Sequence, residues 1–148
     1  GFESSRPEKE YGKGCDNLWI LDNETALIME AKSQKKTQNI ISKEEMGQLM
    51  QSIQWFKDKY VSISNIYGVS LQYNNQKEPT ANINNNIKVI DNLSLSKLTE
   101  NLCSYRDFLS KNNISNLSKG SIKLEFDRLC FSSDKFVNTF LKNIIERK

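Results

Sequence analysis

The chain has 148 residues, a formal net charge of +3 and no histidine. That length fits one domain with enough chain to bury a core, and 37% hydrophobic with 26% charged residues is a globular composition. The missing histidine excludes a Ser-His-Asp triad, a Cys-His nucleophile pair and imidazole-bound zinc, which leaves carboxylates, lysine, tyrosine, thiols and metals that prefer oxygen.

Nothing in the sequence approaches the ~20 consecutive apolar residues of a transmembrane helix, so no membrane partner is expected. Nor is there an apolar leader run, which reads as no signal peptide. Cys15, Cys103 and Cys130 are odd in number and form no CxxC pair, so they read as reduced thiols of a cytoplasmic protein. The chain opens at Gly1 rather than methionine and reads as a piece of something longer.

Residues 1–17 are polar and contain Pro7, Gly12 and Gly14, which predicts a loop entering the first strand. The apolar run 18–21, the turn 22–24 and a second strand over 25–32 predict a β-hairpin. Residues 33–40 read as a loop. Ser42 with Glu45 three residues on is a capping-box signature. Met46, Leu49, Ile53, Phe56 and Tyr60 then recur on one face of a helix over 43–60, with Gln48, Ser52, Trp55 and Lys59 on a neighbouring face. Residues 61–73 are β-branched and aromatic and predict one or two strands. The asparagine-rich segment 74–87 reads as a mobile loop, and residues 87–90 as a short strand. A helix capped by Ser94 is expected over 94–111, another over 121–131, and a last one over 133–146 carrying Phe136, Phe140, Ile144 and Ile145. The expected architecture is a single α/β domain, with a central mixed β-sheet flanked by helices on both faces.

The informative residues are Asp16, Glu30 and Lys32. Glu30 and Lys32 are two apart on a strand and so share a face, at the end of the apolar run 27–29. Charge placed there needs a partner or a metal. If the hairpin turn is residues 22–24, Leu21 pairs with Thr25 and Asp16 falls opposite Glu30. Two adjacent carboxylates repel unless a cation sits between them. A divalent ion with oxygen ligands, Mg²⁺ or alternatively Mn²⁺, answers that need. Lys32 would stand beside the water and phosphate of a metal-assisted phosphodiester hydrolysis.

Gly14-Cys15-Asp16, Glu30-Ala31-Lys32 and Gln48 resemble the PD-(D/E)XK nuclease superfamily, the restriction-endonuclease-like fold. Further matches are Arg6-Pro7-Glu8, Gly14-x-Asp16-Asn17-Leu18-Trp19, Glu30-Ala31-Lys32-Ser33, Ile41-Ser42-Lys43, Gly47-Gln48-Leu49 and Ser52-x-x-Trp55-Phe56. Together they look like the nuclease-like domain at the C-terminus of some bacterial DEAD/DEAH-box helicases. The resemblance covers roughly residues 1–60. It implies that Asp16, Glu30 and the Ala31 carbonyl are metal ligands, that Lys32 is the catalytic lysine, and that Gln48 positions water or phosphate. Family members often carry a further acid on a helix before the hairpin, a place that Glu8 or Glu10 could fill, although that helix could be cut off here. The proline usual before the first Asp is Cys15 in this chain. The implied partners are DNA and a helicase domain, in cis or as a subunit in trans, in DNA defence, restriction or repair.

Around this site Lys35, Lys36 and Lys43 could meet DNA phosphates. Trp55 could stack on a base or be a boundary tryptophan. Ser52 could contact DNA, or Gln48 and Ser52 could simply be a solvated helix face, while Cys15 reads as a packing residue. Two other classes of function stay open: a non-catalytic nucleic-acid-binding or partner-docking module on the same fold, and an interaction subunit whose segment 74–87 orders against a partner.

Overall fold

The computed structural model describes residues 3–31, 40–79, 81, 84–112 and 114–146. The first element is a strand, β1 (Glu3–Ser5), followed by a short helix, α1 (Pro7–Tyr11). Both replace the loop expected for residues 1–17. Pro7 opens α1, where its missing N–H and fixed φ cost nothing, and the Glu10 carboxylate accepts from the Arg6 N–H at 3.0 Å. Gly12 closes it in the left-handed region at φ 70°.

The hairpin follows as β2 (Asn17–Ile20) and β3 (Thr25–Ala31). Its register is the expected one, with Asn17 opposite Met29 and Ile20 opposite Ala26. The Leu21 N–H donates to the Thr25 carbonyl at 2.9 Å, closing the turn at residues 22–24. Helix α2 (Lys43–Lys59) then crosses back to β4 (Asn65–Leu71), which lies parallel to β3. A parallel return needs such a crossover. The capping box is formed in both directions: Ser42 Oγ accepts from the Glu45 N–H, and the Glu45 carboxylate accepts from the Ser42 N–H.

Beyond β4 come β5 (Gln76–Lys77), β6 (Ile87–Ile90), α3 (Asn92–Lys111), a 3-10 turn (Ile114–Asn116), α4 (Lys119–Arg128), α5 (Ser133–Phe140), β7 (Lys142–Asn143) and β8 (Ile145–Glu146). The main sheet has six strands in the order β1-β2-β3-β4-β6-β7, with β3, β4 and β6 parallel and the rest antiparallel. Strands β5 and β8 form a separate parallel pair.

Three expectations are corrected here. Asp91, not Ser94, is the N-cap of α3: its carboxylate accepts from the Ser94 N–H at 2.9 Å, and Ser94 is buried in the first turn. Helix α5 stops at Phe140, so Ile144 and Ile145 are not helical. The chain extends from Leu141 because Lys142 and Asn143 pair with Val89 and Lys88 on the sheet edge. Within segment 74–87, residues 76–77 are a strand rather than loop.

Strand β3 is buried on both sides. Its even-numbered residues Ala26 and Ile28 pack with Leu18 and with Met46, Leu49, Ile53 and Phe56 of α2. Its odd-numbered residues Leu27 and Met29 pack with Leu98 of α3 and Phe136 and Phe140 of α5. The protein is thus α/β, a mixed sheet between helices, with two cores separated by β3. Gly68 lets α2 lie close to this sheet: a Cβ there would stand 2.5 Å from Ile53 Cδ1 and 3.2 Å from Leu49 Cγ. Among the described residues no helix is long and apolar enough to cross a membrane.

Candidate active site

Strand parity decides which side chains meet. Glu30 is even-numbered, so it follows Ala26 and Ile28 onto the α2 face, one step beyond the buried run. Ser52 projects from α2 toward it, and its Oγ donates to Glu30 Oε1 at 2.7 Å. Asp16 precedes β2, and the hairpin register continued one step sets it opposite Glu30. Asp16 Oδ2 accepts from the Ala31 N–H at 2.8 Å. Each carboxylate is therefore held by a donor from a neighbouring element.

Both acids line one cleft of about 460 Å³, the space between the α1–β2 turn, the end of β3 and helix α2. Gln48, Ser52 and Trp55 of α2 line it too, as does Glu8 of α1. The α2 face neighbouring the core helix stripe thus belongs to the cleft. Glu8 and Glu10 both lie on α1; Glu8 lines the cleft, whereas the Glu10 carboxylate accepts from the Arg6 N–H. Ser52 is buried and its hydroxyl is engaged with Glu30. Trp55 is a half-buried boundary residue, packed edge-on to Tyr60 at 6.4 Å between ring centroids. Lys43 is exposed at the start of α2, and its N–H donates to Glu78 at 3.2 Å. Lys32, Lys35 and Lys36 lie outside the described residues.

The turn that carries Asp16 is shaped by Gly14. Its φ of 105° belongs to a region that side chains rarely adopt, and a Cβ would meet Pro7 Cβ at 2.9 Å and the Trp55 ring at 3.0 Å. Cys15 is fully buried between Gly14 and Asp16. Burial pushes its thiol up to about 11, and the nearby negative charges of Glu30 and Asp16 add to that effect. It is a packing residue and not a nucleophile at neutral pH.

Two cleft residues, Lys13 and Gln51, escaped the sequence reading. Gln51 follows Gln48 by three on α2, a spacing that could have marked it. Lys13 sits between two glycines in what reads as a plain turn, and only the fold brings it to the cleft.

Among the described residues no three Asp, Glu or Cys side chains gather to hold a metal ion by themselves. The two facing carboxylates are still a donor set of the right kind for a hard cation, which Mg²⁺ commonly takes with one or two carboxylates and several waters. Comparison with protein-family models, with curated proteins and with solved structures finds no match for this chain.

Proposed function

We propose that this chain is a metal-dependent nuclease domain of restriction-endonuclease-like fold that hydrolyses DNA phosphodiester bonds, working with a helicase domain in cis or a helicase subunit in trans. The observation that carries the reading is the pairing of Asp16 and Glu30 across the hairpin in one cleft, each oriented by a hydrogen bond. A carboxylate pair at the end of a central strand with a polar helix face above it calls for a cation, since like charges are costly to bring together without one.

Asp16, Glu30 and the Ala31 carbonyl would hold Mg²⁺ or Mn²⁺. The ion, when bound, supplies Lewis-acid polarisation of the phosphoryl oxygen and a more acidic water. The chain's own residues do the rest. The Ala31 N–H fixes the rotamer of Asp16, and Ser52 fixes that of Glu30. Gln48 presents an amide to water or phosphate from α2. Lys32, two residues beyond Glu30, is the residue the resemblance assigns to charge stabilisation at the reacting phosphate.

The test is cleavage of single- and double-stranded DNA by the purified chain with Mg²⁺ or Mn²⁺ and with chelator. Metal-dependent cutting that is lost in Lys32→Ala, with DNA binding retained, supports the reading. Absence of cutting on both DNAs with either metal overturns it and leaves a non-catalytic binding module.

A further inference from the structure

Lys13 is, among the described residues, the one basic side chain lining the cleft that holds Glu8, Asp16 and Glu30. Three carboxylates against one ammonium leave this wall net negative, which by itself repels a phosphodiester. A cation held at a fixed position in this cleft, beside the metal ion proposed above, lowers that repulsion for an approaching anionic strand.

The backbone fixes Lys13 closely. Gly12 terminates α1 in the left-handed region, with its N–H on the Glu8 carbonyl at 2.9 Å. Gly14, at φ 105°, is wedged beneath Pro7 and the Trp55 ring. Lys13 thus stands on a two-glycine turn clamped at both ends, three residues before Asp16. Among the described residues its ammonium forms no ion pair with the acids of the same cleft. A lysine serving only to neutralise Glu8, Asp16 or Glu30 would be drawn into such a pair.

We infer that Lys13 is a substrate-binding residue that anchors a backbone phosphate of the nucleic-acid strand beside the Asp16–Glu30 pair. This rests on the nuclease reading above and adds to it a contact from the α1–β2 turn. Lysine is a flexible point charge suited to a phosphate without reading a base.

The experiment is fluorescence anisotropy of labelled single-stranded and duplex DNA over a range of salt concentrations, using wild type, Lys13→Gln and Lys13→Arg. Lys13 is exposed, so both variants should melt with wild type by circular dichroism. Losing one phosphate contact reduces the slope of log K against log salt by about 0.7 on single strands or 0.9 on duplex. Lys13→Gln is expected to show that reduction, roughly fivefold to tenfold weaker binding on all sequences, and a raised KM with little change in kcat. Lys13→Arg should restore both slope and affinity. A wild-type slope and affinity in Lys13→Gln overturn the anchor while leaving the nuclease reading intact. Wild type that binds neither DNA at low salt overturns both.

Discussion

Ser52 Oγ donates to Glu30 Oε1 at 2.7 Å, linking the middle of α2 to the end of β3. Ser52 is buried, so the hydroxyl is unlike a solvated helix serine, and it limits the rotamers open to Glu30. Partners of this kind set ligand orientation, and their loss typically costs roughly 10- to 100-fold in metal affinity or activity. On the proposed nuclease reading, with Glu30 a metal ligand, Ser52→Ala should raise the Mg²⁺ concentration for half-maximal DNA cleavage by such a factor. A role confined to packing would shift the melting temperature and leave the Mg²⁺ requirement unchanged.

The approach of α2 to the sheet depends on Gly68. The added methyl of Gly68→Ala would overlap Ile53 Cδ1 and press on Leu49 Cγ and Ile53 Cγ1 at 3.2 and 3.3 Å. Overpacking of this sort costs about 1–3 kcal/mol, and lifting α2 also loosens Ser52 from Glu30. Gly47, one residue before Gln48, has open space around its Cα. Gly47→Ala should therefore stabilise α2 by about 0.5–1 kcal/mol. Urea melts of the two variants should move in opposite directions.

The two halves of the molecule differ in how much the sequence reveals. The hairpin register was readable because a three-residue turn leaves one pairing, and a slip of one would turn Ala26 and Ile28 away from α2. The capping box at Ser42 and Glu45 and the apolar stripe of α2 are local patterns and were equally plain. Helix α1 was hidden because five residues are too few for periodicity to register. At the other end, Ile144 lies four residues beyond Phe140 and fits the helical spacing, yet pairing of Lys142 and Asn143 with β6 takes precedence. That is a tertiary contact no local window contains. In the cleft, the opposition of Asp16 and Glu30 followed from hairpin register and the shared face of Gln48 and Ser52 from helix spacing, while a site role for Gln48 came only from the resemblance and Lys13 depended on the path of a glycine turn.

The N-cap of α3 also ties the sheet edge. Lys142 Nζ donates to Asp91 Oδ2 at 2.6 Å while Asp91 Oδ1 caps Ser94. Burial pushes the Asp91 carboxyl up, but the hydrogen bonds from Lys142 and Ser94 and the Lys142 charge outweigh it and hold the group below its ordinary value of 3.8. The unfolded state then binds the proton more tightly, so the stabilisation is present above pH ~4 and is lost as pH falls through the folded value. Asp91→Ala should cost about 1–2 kcal/mol at pH 7 from the cap alone. The gap between variant and wild type in thermal melts should close as the pH is lowered from 5 to 2.

Cys15 predicts the opposite limb. Its thiol rises from 9.0 to about 11, from burial first and then from Glu30 and Asp16. The folded state retains the proton, so its contribution to stability is full below pH 9 and disappears as pH rises toward 11. Cys15→Ala should be less stable at pH 7 through lost packing, yet fall less steeply than wild type across that window. In native protein at pH 8, a thiol reagent should label exposed Cys103 first and reach Cys15 only on unfolding.

Cys130 is the one non-glycine residue with positive φ among the described residues, at 62°. It follows α4, where the Cys130 N–H reaches the Asp127 carbonyl at 3.1 Å and the Phe131 N–H reaches the Phe126 carbonyl at 3.0 Å. That pair of bonds is the Schellman ending of a helix, completed by the Phe126 and Phe131 rings at 5.4 Å. The motif prefers glycine, and a side chain in the left-handed region costs about 1–2 kcal/mol. Cys130 is half-buried against the α3–α5 core, so its side chain recovers part of that cost. Cys130→Gly should accordingly leave stability unchanged or raise it by up to about 1 kcal/mol. Cys130→Val, with its branched Cβ in the same conformation, should lower stability by about 2 kcal/mol. Chemical denaturation of the two variants checks the order, and a valine variant as stable as the glycine one would mean that the turn is not held left-handed.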